Sequence, residues 1–589
     1  MTDLSISKKT TQRRGAATRR IRFVTATSLF DGHDASINVM RRILQASGAE
    51  VIHLGHNRAV EEIVTAALDE DVQGIAVSSY QGGHVEFFKY MLDLLRERGG
   101  AHIKVFGGGG GVIVPVEAAE LHAYGVTRIY TPEDGAKLGL QGMIDDMLAA
   151  CDFDPAAVRA PDLESVVRGD RRALAALITA LDNGTLDASV RRQLVERAHA
   201  VAGVPVLGIT GTGGSGKSSL TDELVRRLRL DQDDRLKIAL IAVDPSRRKS
   251  GGALLGDRIR MNAIDSPNIY MRSLATRAAG SEIAASVPDA IAACKLAGFE
   301  LIVVETSGIG QGDAGIVPLV DLSVYVMTPE YGAASQLEKI DMLDFADFVA
   351  INKFDRKGGE DAQRDVAKQV QRNRAAFGKP PADMPVFGTI AARFNDDGVT
   401  ALYQALKPEL AAAGLALEPG KLAPVAVRAS TGNISIVPPA RARYLAEIAD
   451  AVHAYHEGGR EQVRVARERQ QLMETQRMLR ESSSSRRTAG TRTHDELTAD
   501  LDALIAERER ALDSRSRELL DRWPSVRAAY SGDEHITQVR DSEIRTRLTV
   551  KSLSGTPVPK IALPKFADHG ELLAWLWREN LPGYFPFTG

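Results

Sequence analysis

The chain has 589 residues, which is long enough for several domains. Its 74 basic and 77 acidic residues give a net charge of −3, which argues against nucleic acid as the main partner. Cys151 and Cys294 lie far apart and outside any C-x-x-C motif. Neither a disulfide framework nor a structural zinc cluster is therefore expected, and a reducing cytoplasmic location fits. The sequence has no long uncharged apolar run, so no membrane span is predicted.

Residues 1–20 are predicted to form a disordered basic tail, because they carry six Lys or Arg residues and no apolar segment of a secretory signal. From there to residue 152, short apolar runs alternate with helical patterns. The runs lie at residues 21–26, 51–54, 74–77, 103–106 and 127–130. This alternation predicts an α/β domain of the flavodoxin-like (Rossmann-type) class, whose parallel sheet binds its ligand at the carboxyl ends of the strands.

Polar or glycine-rich stretches follow three of these runs, at the end of the sheet where a ligand is expected. Asp31 and His33 follow the first run, and Ser78 follows the third. The fourth is followed by Gly107, Gly108, Gly109, Gly110 and Gly111. This pattern resembles the D-x-H-x-x-G, S-x-L and G-G motifs of the cobalamin-binding domain in adenosylcobalamin-dependent acyl-CoA mutases. Ser36 and Tyr80 stand where that family usually has glycine and leucine.

The resemblance implies a role for each of these residues. In the family, the histidine replaces the nucleotide base of the cofactor as the lower cobalt ligand, and the aspartate hydrogen-bonds its other ring nitrogen. His33 would therefore bind cobalt and Asp31 would fix its tautomer, while Ser78 and the glycine run would line the slot for the displaced base. The alternative is an ordinary flavodoxin-like domain with a histidine in a loop.

Residues 153–200 are predicted to be a helical connector, because residues 162–200 read as helix. A G-x-x-x-x-G-K-S motif then lies between an apolar run and a helical pattern, which is the context of a phosphate-binding P-loop rather than of a chance glycine-rich turn. Lys217 would reach the β- and γ-phosphates, and Ser218 would coordinate Mg²⁺. The loop residues expected to bind nucleotide are Gly211, Gly213, Gly214, Ser215, Gly216, Lys217, Ser218 and Ser219.

Three carboxylates after the P-loop are candidates for catalysis together with Lys217. Asp244 and Glu305 end apolar runs, and Asp257 lies in a glycine-rich loop. A carboxylate at a strand end opposite a P-loop can accept a hydrogen bond from a magnesium-bound water. Gln311 is a candidate for positioning the attacking water. Arg258 would either supply cationic help to hydrolysis or form a surface salt bridge.

Asn352, Lys353 and Asp355 form an N-K-x-D motif after another apolar run. This is the guanine signature of GTPases, since its carboxylate accepts hydrogen bonds from guanine N1–H and N2–H₂, which adenine does not offer. Asn352 would support the loop and the base, and the Lys353 stem would cover the ring face. Following a P-loop and a Glu-Thr-x-Gly motif in order, N-K-x-D predicts GTP rather than ATP.

Residues 201–420 resemble the chaperone GTPases that serve methylmalonyl-CoA mutase. The matching segments are Asp244-Pro-Ser, Leu255-Gly-Asp257, Glu305-Thr-x-Gly-x-Gly-Gln311 and the N-K-x-D motif. The resemblance implies that Asp244, Asp257 and Glu305 support Mg²⁺ and the attacking water. It also implies that residues 331–339 form a mobile loop that senses the mutase.

Residues 421–540 are predicted to be a helical linker. Charge dominates residues 460–480 and a second helical stretch at 494–520, which favours a solvated linker over a dedicated binding arm. Residues 581–589 resemble the start of the substrate-binding TIM barrel of acyl-CoA mutases, so residues 541–589 are predicted to begin that domain. Because a barrel needs about 250 residues, we expect the chain to be truncated or the barrel to be a separate polypeptide. Truncation is the simpler expectation.

The order of these parts resembles the fused isobutyryl-CoA mutases, which join an adenosylcobalamin-dependent mutase to its G-protein chaperone. The complete family enzyme interconverts isobutyryl-CoA and butyryl-CoA through a radical formed by homolysis of the cobalt–carbon bond. The resemblance implies adenosylcobalamin, GTP or GDP, and Mg²⁺ as cofactors, with the GTPase gating cofactor loading and repair. It also implies an acyl-CoA substrate bound by the missing barrel, a homodimer, and an adenosyltransferase that donates the cofactor.

Other functions fit parts of the sequence. A non-enzymatic cobalamin carrier or sensor would use the GTPase domain to switch partners. A nickel-insertion GTPase fits poorly, because the chain has no His- or Cys-rich metal store. A methyltransferase corrinoid carrier would account for residues 21–152 but for neither the second domain nor the ending. We therefore expect cobalamin binding and GTP hydrolysis, with no mutase turnover unless a barrel is supplied.

Overall fold

The structure is a computed structural model, and it divides the chain into two units, Met1–Ile436 and Val437–Gly589. The described residues are 20–247, 250–277, 283–308, 314–331, 337–338, 340–432, 443–482, 494–539, 542–552, 554–561 and 563–578. Gln311, most of the predicted sensing loop and residues 581–589 therefore lie outside the described residues. Among the described helices, none has the length and apolar character needed to cross a membrane.

The first sheet of the first unit has six parallel strands in the order β5-β4-β3-β1-β2-β8. Its strands are β1 (Arg22–Ser28), β2 (Glu50–Arg58), β3 (Gly74–Ser78), β4 (Lys104–Gly108), β5 (Arg128–Tyr130) and β8 (Ala253–Leu255). Helices α1 (Ala35–Ala46), α2 (Val60–Asp69), α3 (His84–Glu97), α4 (Pro115–Tyr124) and α5 (Pro132–Cys151) connect or follow these strands. All seven residues of β1 are buried, as expected for a central strand of a doubly wound sheet. The predicted α/β class of this domain is confirmed.

The second sheet has seven parallel strands in the order β13-β12-β11-β6-β10-β7-β9. They are β6 (Val206–Gly211), β7 (Ile238–Asp244), β9 (Ile269–Ala275), β10 (Leu301–Glu305), β11 (Leu322–Met327), β12 (Phe348–Asn352) and β13 (Val386–Thr389). The helices around it include α10 (Lys217–Asp231), α11 (Val287–Leu296), α12 (Met342–Phe345), α13 (Gly359–Asn373) and α14 (Asp397–Ala412). Short 3₁₀ turns lie at Arg258–Arg260, Val317–Leu319, Pro329–Tyr331 and Pro381–Asp383. A parallel sheet whose P-loop follows its central strand β6 is the fold that the motifs predicted.

Strand β8 comes from the nucleotide domain's part of the sequence but pairs with β2 at the edge of the first sheet. Ala253 pairs with Glu50, and Leu255 pairs with Ile52, in parallel register. The preceding Gly252 passes so close to the end of α1 that a Cβ atom there would collide with the carbonyl oxygen of Gln45. The sequence did not predict this strand, since three residues after a glycine pair give no periodic signal.

The connector differs from the single helix that we expected at residues 162–200. It contains α6 (Pro155–Val158), α7 (Leu163–Val167), α8 (Arg171–Asn183) and α9 (Ala188–His199). Gly169 and Gly184 adopt φ values of +81° and +68°, which ends one helix before the next begins. The side chains of Asp170 and Asp187 accept hydrogen bonds from backbone N–H groups in the first turns of α8 and α9. A glycine followed within three residues by an aspartate was the sequence signal for these breaks.

The second unit has a small apolar core of its own, whereas a solvated linker was expected. Its helices are α15 (Tyr444–Ser482), α16 (His494–Ala511), α17 (Ser514–Tyr530) and α18 (His569–Trp577). Its strands are the antiparallel pairs β14 (Glu534–Val539) with β15 (Ser542–Arg547), and β16 (Thr549–Lys551) with β17 (Pro557–Pro559). The core contains Val465, Ala466, Leu512, Leu520, Trp523, Leu572 and Leu573. Apolar residues were sparse in α15 because only one narrow stripe of it packs inward.

Candidate functional site

The loop after β1 holds an aspartate–histidine pair in which one partner is buried and the other is exposed. Asp31 Oδ1 lies 2.8 Å from His33 Nδ1 and accepts a hydrogen bond from the His33 backbone N–H at 2.9 Å. Asp31 is fully buried, while the His33 side chain is 67% exposed. Burial alone would raise the pKa of Asp31, but hydrogen bonds from the backbone N–H groups of His33 and Tyr80 and from the imidazole lower it. An ionised Asp31 thus fixes Nδ1–H as a donor and leaves Nε2 as the nitrogen for a metal.

The same loop contains a strained residue that the sequence analysis missed. Phe30 adopts φ +64° and is 80% exposed, and its backbone N–H donates to Asn57 Oδ1 at 2.7 Å. Asn57 itself adopts φ +56° at the end of β2. A left-handed backbone costs a non-glycine residue about 1 kcal/mol or more. The Asn57 hydrogen bond therefore helps to hold the conformation that presents His33.

A mostly apolar cavity of about 470 Å³ opens beside this loop. Of the residues predicted to line the slot for the displaced base, Ser78 and Gly107, Gly108, Gly109 and Gly110 line this cavity, whereas Gly111 is not among its lining residues. Lining residues that the sequence analysis missed include Ile37, Met40, Phe106, Tyr130, Thr131, Met143 and Met147. Ser78 Oγ donates to Thr27 Oγ1 at 3.4 Å, and Ser36 Oγ is buried at the cavity without a hydrogen-bond partner among the described residues. The cavity suits a largely apolar group that carries a polar atom.

The P-loop connects β6 to α10 and brings the predicted phosphate-binding residues together. Lys217 is buried, and its Nζ donates to the carbonyl oxygens of Gly211 at 3.1 Å and Thr212 at 3.3 Å. Within the part of the chain that the structure describes, the buried hydroxyls of Thr212 and Ser215 have no hydrogen-bond partner. Such orphaned hydroxyls in a loop before a helix N-terminus fit an anion that would satisfy them.

The three predicted carboxylates lie around the start of α10. Ser218 Oγ lies 2.9 Å from Asp257 Oδ1 and 2.7 Å from Glu305 Oε1. Asp244 Oδ2 accepts a hydrogen bond from the backbone N–H of Gly256 at 2.9 Å, next to Asp257 in sequence. Burial and the neighbouring Asp257 charge raise the pKa of Glu305 to about 8 and that of Asp244 to about 7. A divalent cation would relieve this excess of buried negative charge.

Thr221 is a member of this cluster that the sequence analysis missed. Its Oγ1 donates to Glu305 Oε2 at 2.9 Å and contacts the Lys217 carbonyl oxygen at 3.0 Å. The available signal was its spacing, since it lies one helical turn after Lys217 on the same face. In the described chain, no group of three His, Cys, Asp or Glu side chains is arranged to hold a metal by itself. The set fits a Mg²⁺ ion that keeps waters and binds phosphate oxygens beside one hydroxyl.

The N-K-x-D motif lies against the P-loop. Asn352 Nδ2 donates to the Ser215 carbonyl oxygen at 2.8 Å, and Lys353 Nζ donates to the Gly214 carbonyl oxygen at 2.7 Å. Gly216, at φ +90°, has no room for a side chain, because a Cβ atom there would collide with the Asn352 amide. Asp355 is exposed at the end of this loop. The N-K-x-D loop and the P-loop are thus hydrogen-bonded directly to each other.

Arg258 is buried in the contact between the two α/β domains, so the salt bridge expected as one interpretation is present but does not lie at the surface. Its guanidinium pairs with Asp69 Oδ2 at 3.1 Å and Glu70 Oε1 at 3.3 Å, and it donates to the Met271 carbonyl oxygen at 3.1 Å. Both carboxylates are at the end of α2 in the first domain. Glu70 also pairs with Arg22 at 2.7 Å. The guanidinium is therefore held by protein carboxylates and a carbonyl oxygen rather than by solvent.

Comparison with known families gives two matches. Residues 21–139 match the B12 binding domain family, and residues 174–418 match the methylmalonyl-CoA mutase-associated GTPase MeaB family. The second match begins within α8, so part of the predicted connector belongs to the GTPase family.

The chain is similar over its whole length to longer proteins. It is 64% identical to the fused isobutyryl-CoA mutase of Cupriavidus metallidurans, covering 100% of this chain and 53% of that protein. It is 58% identical to the fused isobutyryl-CoA mutase of Nocardia farcinica, covering 96% of this chain and 51% of that protein. A Pyrococcus horikoshii protein named as a GTPase is 34% identical over 42% of this chain and 75% of its own length. The chain thus spans about half the length of the fused relatives.

Proposed function

Since this chain belongs to the fused isobutyryl-CoA mutase family, we propose that it is the cobalamin-binding and GTP-hydrolysing chaperone portion of such an enzyme. The observation that carries the proposal is the buried Asp31 that orients an exposed His33, in the same unit as a complete P-loop. The complete protein would interconvert isobutyryl-CoA and butyryl-CoA, with the acyl-CoA bound by the barrel predicted to begin near residue 541.

The residues around His33 fit the lower side of adenosylcobalamin. His33 would bind cobalt through Nε2, because Asp31 holds Nδ1. The 470 Å³ cavity would take the displaced base, and the unpartnered Ser36 hydroxyl would hydrogen-bond to it. Bound adenosylcobalamin supplies the radical when its cobalt–carbon bond breaks. The chain's own contribution is to bind the cofactor and to orient its lower face.

Replacing His33 with alanine is expected to abolish the base-off/His-on absorption spectrum of bound adenosylcobalamin and to weaken cofactor binding at least tenfold. The measurement is an absorption titration of the purified 589-residue chain and of the variant. GTP hydrolysis by the same samples provides the control, because His33 lies outside the nucleotide site. A folded variant that keeps the wild-type spectrum would contradict the proposed ligation of cobalt by His33.

The residues of the P-loop fit GTP with Mg²⁺. Lys217 would neutralise the β- and γ-phosphates, and the hydroxyls of Thr212 and Ser215 would donate to phosphate oxygens. Ser218 would hold Mg²⁺, with Asp257 and Glu305 accepting hydrogen bonds from its waters. Bound Mg²⁺ supplies neutralisation of the charge that develops on the phosphates. Asp355 and Asn352 would select guanine, and Gln311 remains our candidate for orienting the attacking water.

The contact between the two α/β domains supports GTPase gating of cofactor loading and repair. Asp257, beside the proposed Mg²⁺ site, is followed directly by Arg258, which pairs with Asp69 and Glu70 of the cobalamin domain. Strand β8, just before Asp257, extends the cobalamin domain's sheet. A shift of Asp257 when Mg²⁺ and nucleotide bind would therefore reach the cobalamin domain through one short segment.

Replacing Arg258 with methionine is expected to remove most of the effect of bound cobalamin on the GTP hydrolysis rate. It should also destabilise the protein, because breaking a buried ion pair costs about 3–5 kcal/mol. The loss of stability is expected near the lower end of this range, because Asp69 still pairs with Arg171 and Glu70 still pairs with Arg22. Hydrolysis rates with and without cobalamin, together with Tm, test this.

Arg364→Met is the matched control, since Arg364 is 59% exposed and pairs only with Asp361 and Asp365 at the surface of the described chain. Such pairs contribute about 0–1 kcal/mol, so Tm and coupling should stay near wild type. If Arg258→Met retains the full cobalamin effect on hydrolysis, this segment does not couple the domains.

A non-enzymatic cobalamin carrier with a GTP-dependent partner switch is the second candidate. It is favoured by the position of the exposed His33 in a domain tied to a nucleotide site. GTP turnover that changes with cofactor occupancy would favour the chaperone, while nucleotide-dependent partner binding with negligible hydrolysis would favour the switch.

We further propose that the protein is a cytoplasmic homodimer that receives its cofactor from an adenosyltransferase. Measurement of its molecular mass in solution would test the dimer, and a cofactor-transfer assay would test the adenosyltransferase.

A further inference from the structure

Tyr80 contacts several parts of the proposed cobalamin site at once. Its backbone N–H donates to Asp31 Oδ2 at 2.6 Å, which helps to hold that carboxylate in place beside His33. Its ring centroid lies 5.6 Å from the centroid of the His33 imidazole, with the two planes tilted by 43°. The ring also borders the 470 Å³ cavity. One residue therefore adjoins both the imidazole and the space proposed for the displaced base.

The ring of Tyr80 rests on the glycine run. A Cβ atom at Gly110 would lie 2.5 Å from Tyr80 Cε1 and 3.3 Å from its hydroxyl oxygen, so only glycine leaves room for the ring. Gly110 also adopts φ +55°, where a side chain would be strained. The ring thus packs against Gly110 and lies beside the ring of His33, whose side chain is 67% exposed. An exposed imidazole held only through Nδ1 can still rotate out of line, and a neighbouring ring restricts that rotation.

We propose that Tyr80 is a positioning residue for His33, whose ring holds the imidazole in line for the cobalt of a bound corrinoid. The inference rests on the proposed cobalamin binding and adds a residue that acts through His33 rather than on cobalt. The aromatic ring is what matters, because the backbone hydrogen bond to Asp31 persists whatever the side chain. An aromatic pair of this kind corresponds to about a threefold to tenfold change in an equilibrium constant.

The test compares Tyr80→Leu and Tyr80→Phe with wild type in the full 589-residue chain. The probes are adenosylcobalamin and cobinamide, a corrinoid that lacks the nucleotide base and so leaves the cavity empty. Tyr80→Leu is expected to lower both the histidine-ligated fraction seen by absorption and the affinity about threefold to tenfold for either probe. Tyr80→Phe is expected to restore both values. Tyr80→Met provides a second apolar variant if the leucine variant fails to fold, as judged by GTP hydrolysis.

Tyr124→Leu is the matched control, because Tyr124 is a half-buried tyrosine of α4 whose hydroxyl contacts Asp93. It should leave both titrations unchanged, and an equal loss in this control would overturn the role given to Tyr80. Wild-type spectra in Tyr80→Leu and Tyr80→Met would also overturn it. A loss with adenosylcobalamin but not with cobinamide would make the ring a wall of the cavity and refute positioning. Failure of the proposed function is distinct: His33→Ala would then match wild type with both probes.

Discussion

Replacing Lys217 with alanine is expected to lower the rate of GTP hydrolysis about 10²–10³-fold, the usual loss when one preorganised charge or donor is removed from a transition state. The ammonium group is buried at the P-loop, where it donates to the Gly211 and Thr212 carbonyl oxygens. In the same loop, the Thr212 and Ser215 hydroxyls have no hydrogen-bond partner among the described residues. The lysine charge is thus already desolvated at the proposed phosphate site, and alanine removes it without a substitute. Phosphate release from GTP under saturating nucleotide measures the effect.

Lys357→Ala is the control, because Lys357 is an exposed lysine close to the N-K-x-D motif in sequence. Its hydrolysis rate should stay within a factor of two of wild type, about the change expected from screened surface charge. Adenosylcobalamin binding should survive in Lys217→Ala, since His33 and its cavity lie in the other domain. Near-wild-type hydrolysis in a folded Lys217→Ala variant would contradict the assignment of this loop to phosphate binding.

The sequence was most informative where a local pattern determines a local structure. The P-loop, the N-K-x-D motif and the Asp31–His33 pair each depend on residues within a few positions, and each of the five apolar runs in residues 21–130 falls on a strand of the first sheet. Backbone geometry at such motifs follows from glycine and aspartate chemistry, which does not depend on the rest of the fold. This is why the local geometry of these motifs could be predicted, while their ligands stay predictions.

Contacts between distant segments could not be foreseen. Strand β8 is three residues long and is stabilised by its pairing with β2, about 200 positions earlier. Strand β9 contains the fully buried Arg272, whose type is usually exposed and whose acidic partner Glu70 lies in the other domain. The burial of the Arg258 salt bridge was missed because its partners are equally distant in sequence. Buried charges are satisfied by tertiary partners, and a single sequence gives no sign of which carboxylate will be near.

Replacing Glu305 with glutamine is expected to stabilise the protein in the absence of nucleotide and Mg²⁺ while lowering Mg²⁺-dependent GTP hydrolysis about 10²–10³-fold. Burial and the Asp257 charge raise the pKa of Glu305 to about 8. A carboxyl group whose pKa is raised on folding contributes stability below its unfolded pKa, and this contribution is lost as pH rises through about 8. Glutamine has nearly the same shape as glutamate and does not ionise, so this variant should not lose stability in the same way as pH rises.

The stability gain should therefore grow with pH, from near zero at pH 5 to at least about 1–3 kcal/mol at pH 9. Thermal unfolding between those pH values measures it, and Glu196→Gln, on an exposed carboxylate of α9, is the control. Turnover should fall for a separate reason, because the amide donates where a carboxylate must accept from Ser218 or from a magnesium-bound water. Unchanged hydrolysis would remove Glu305 from the proposed Mg²⁺ site. Unchanged stability at pH 9 would show that the buried charge is compensated elsewhere.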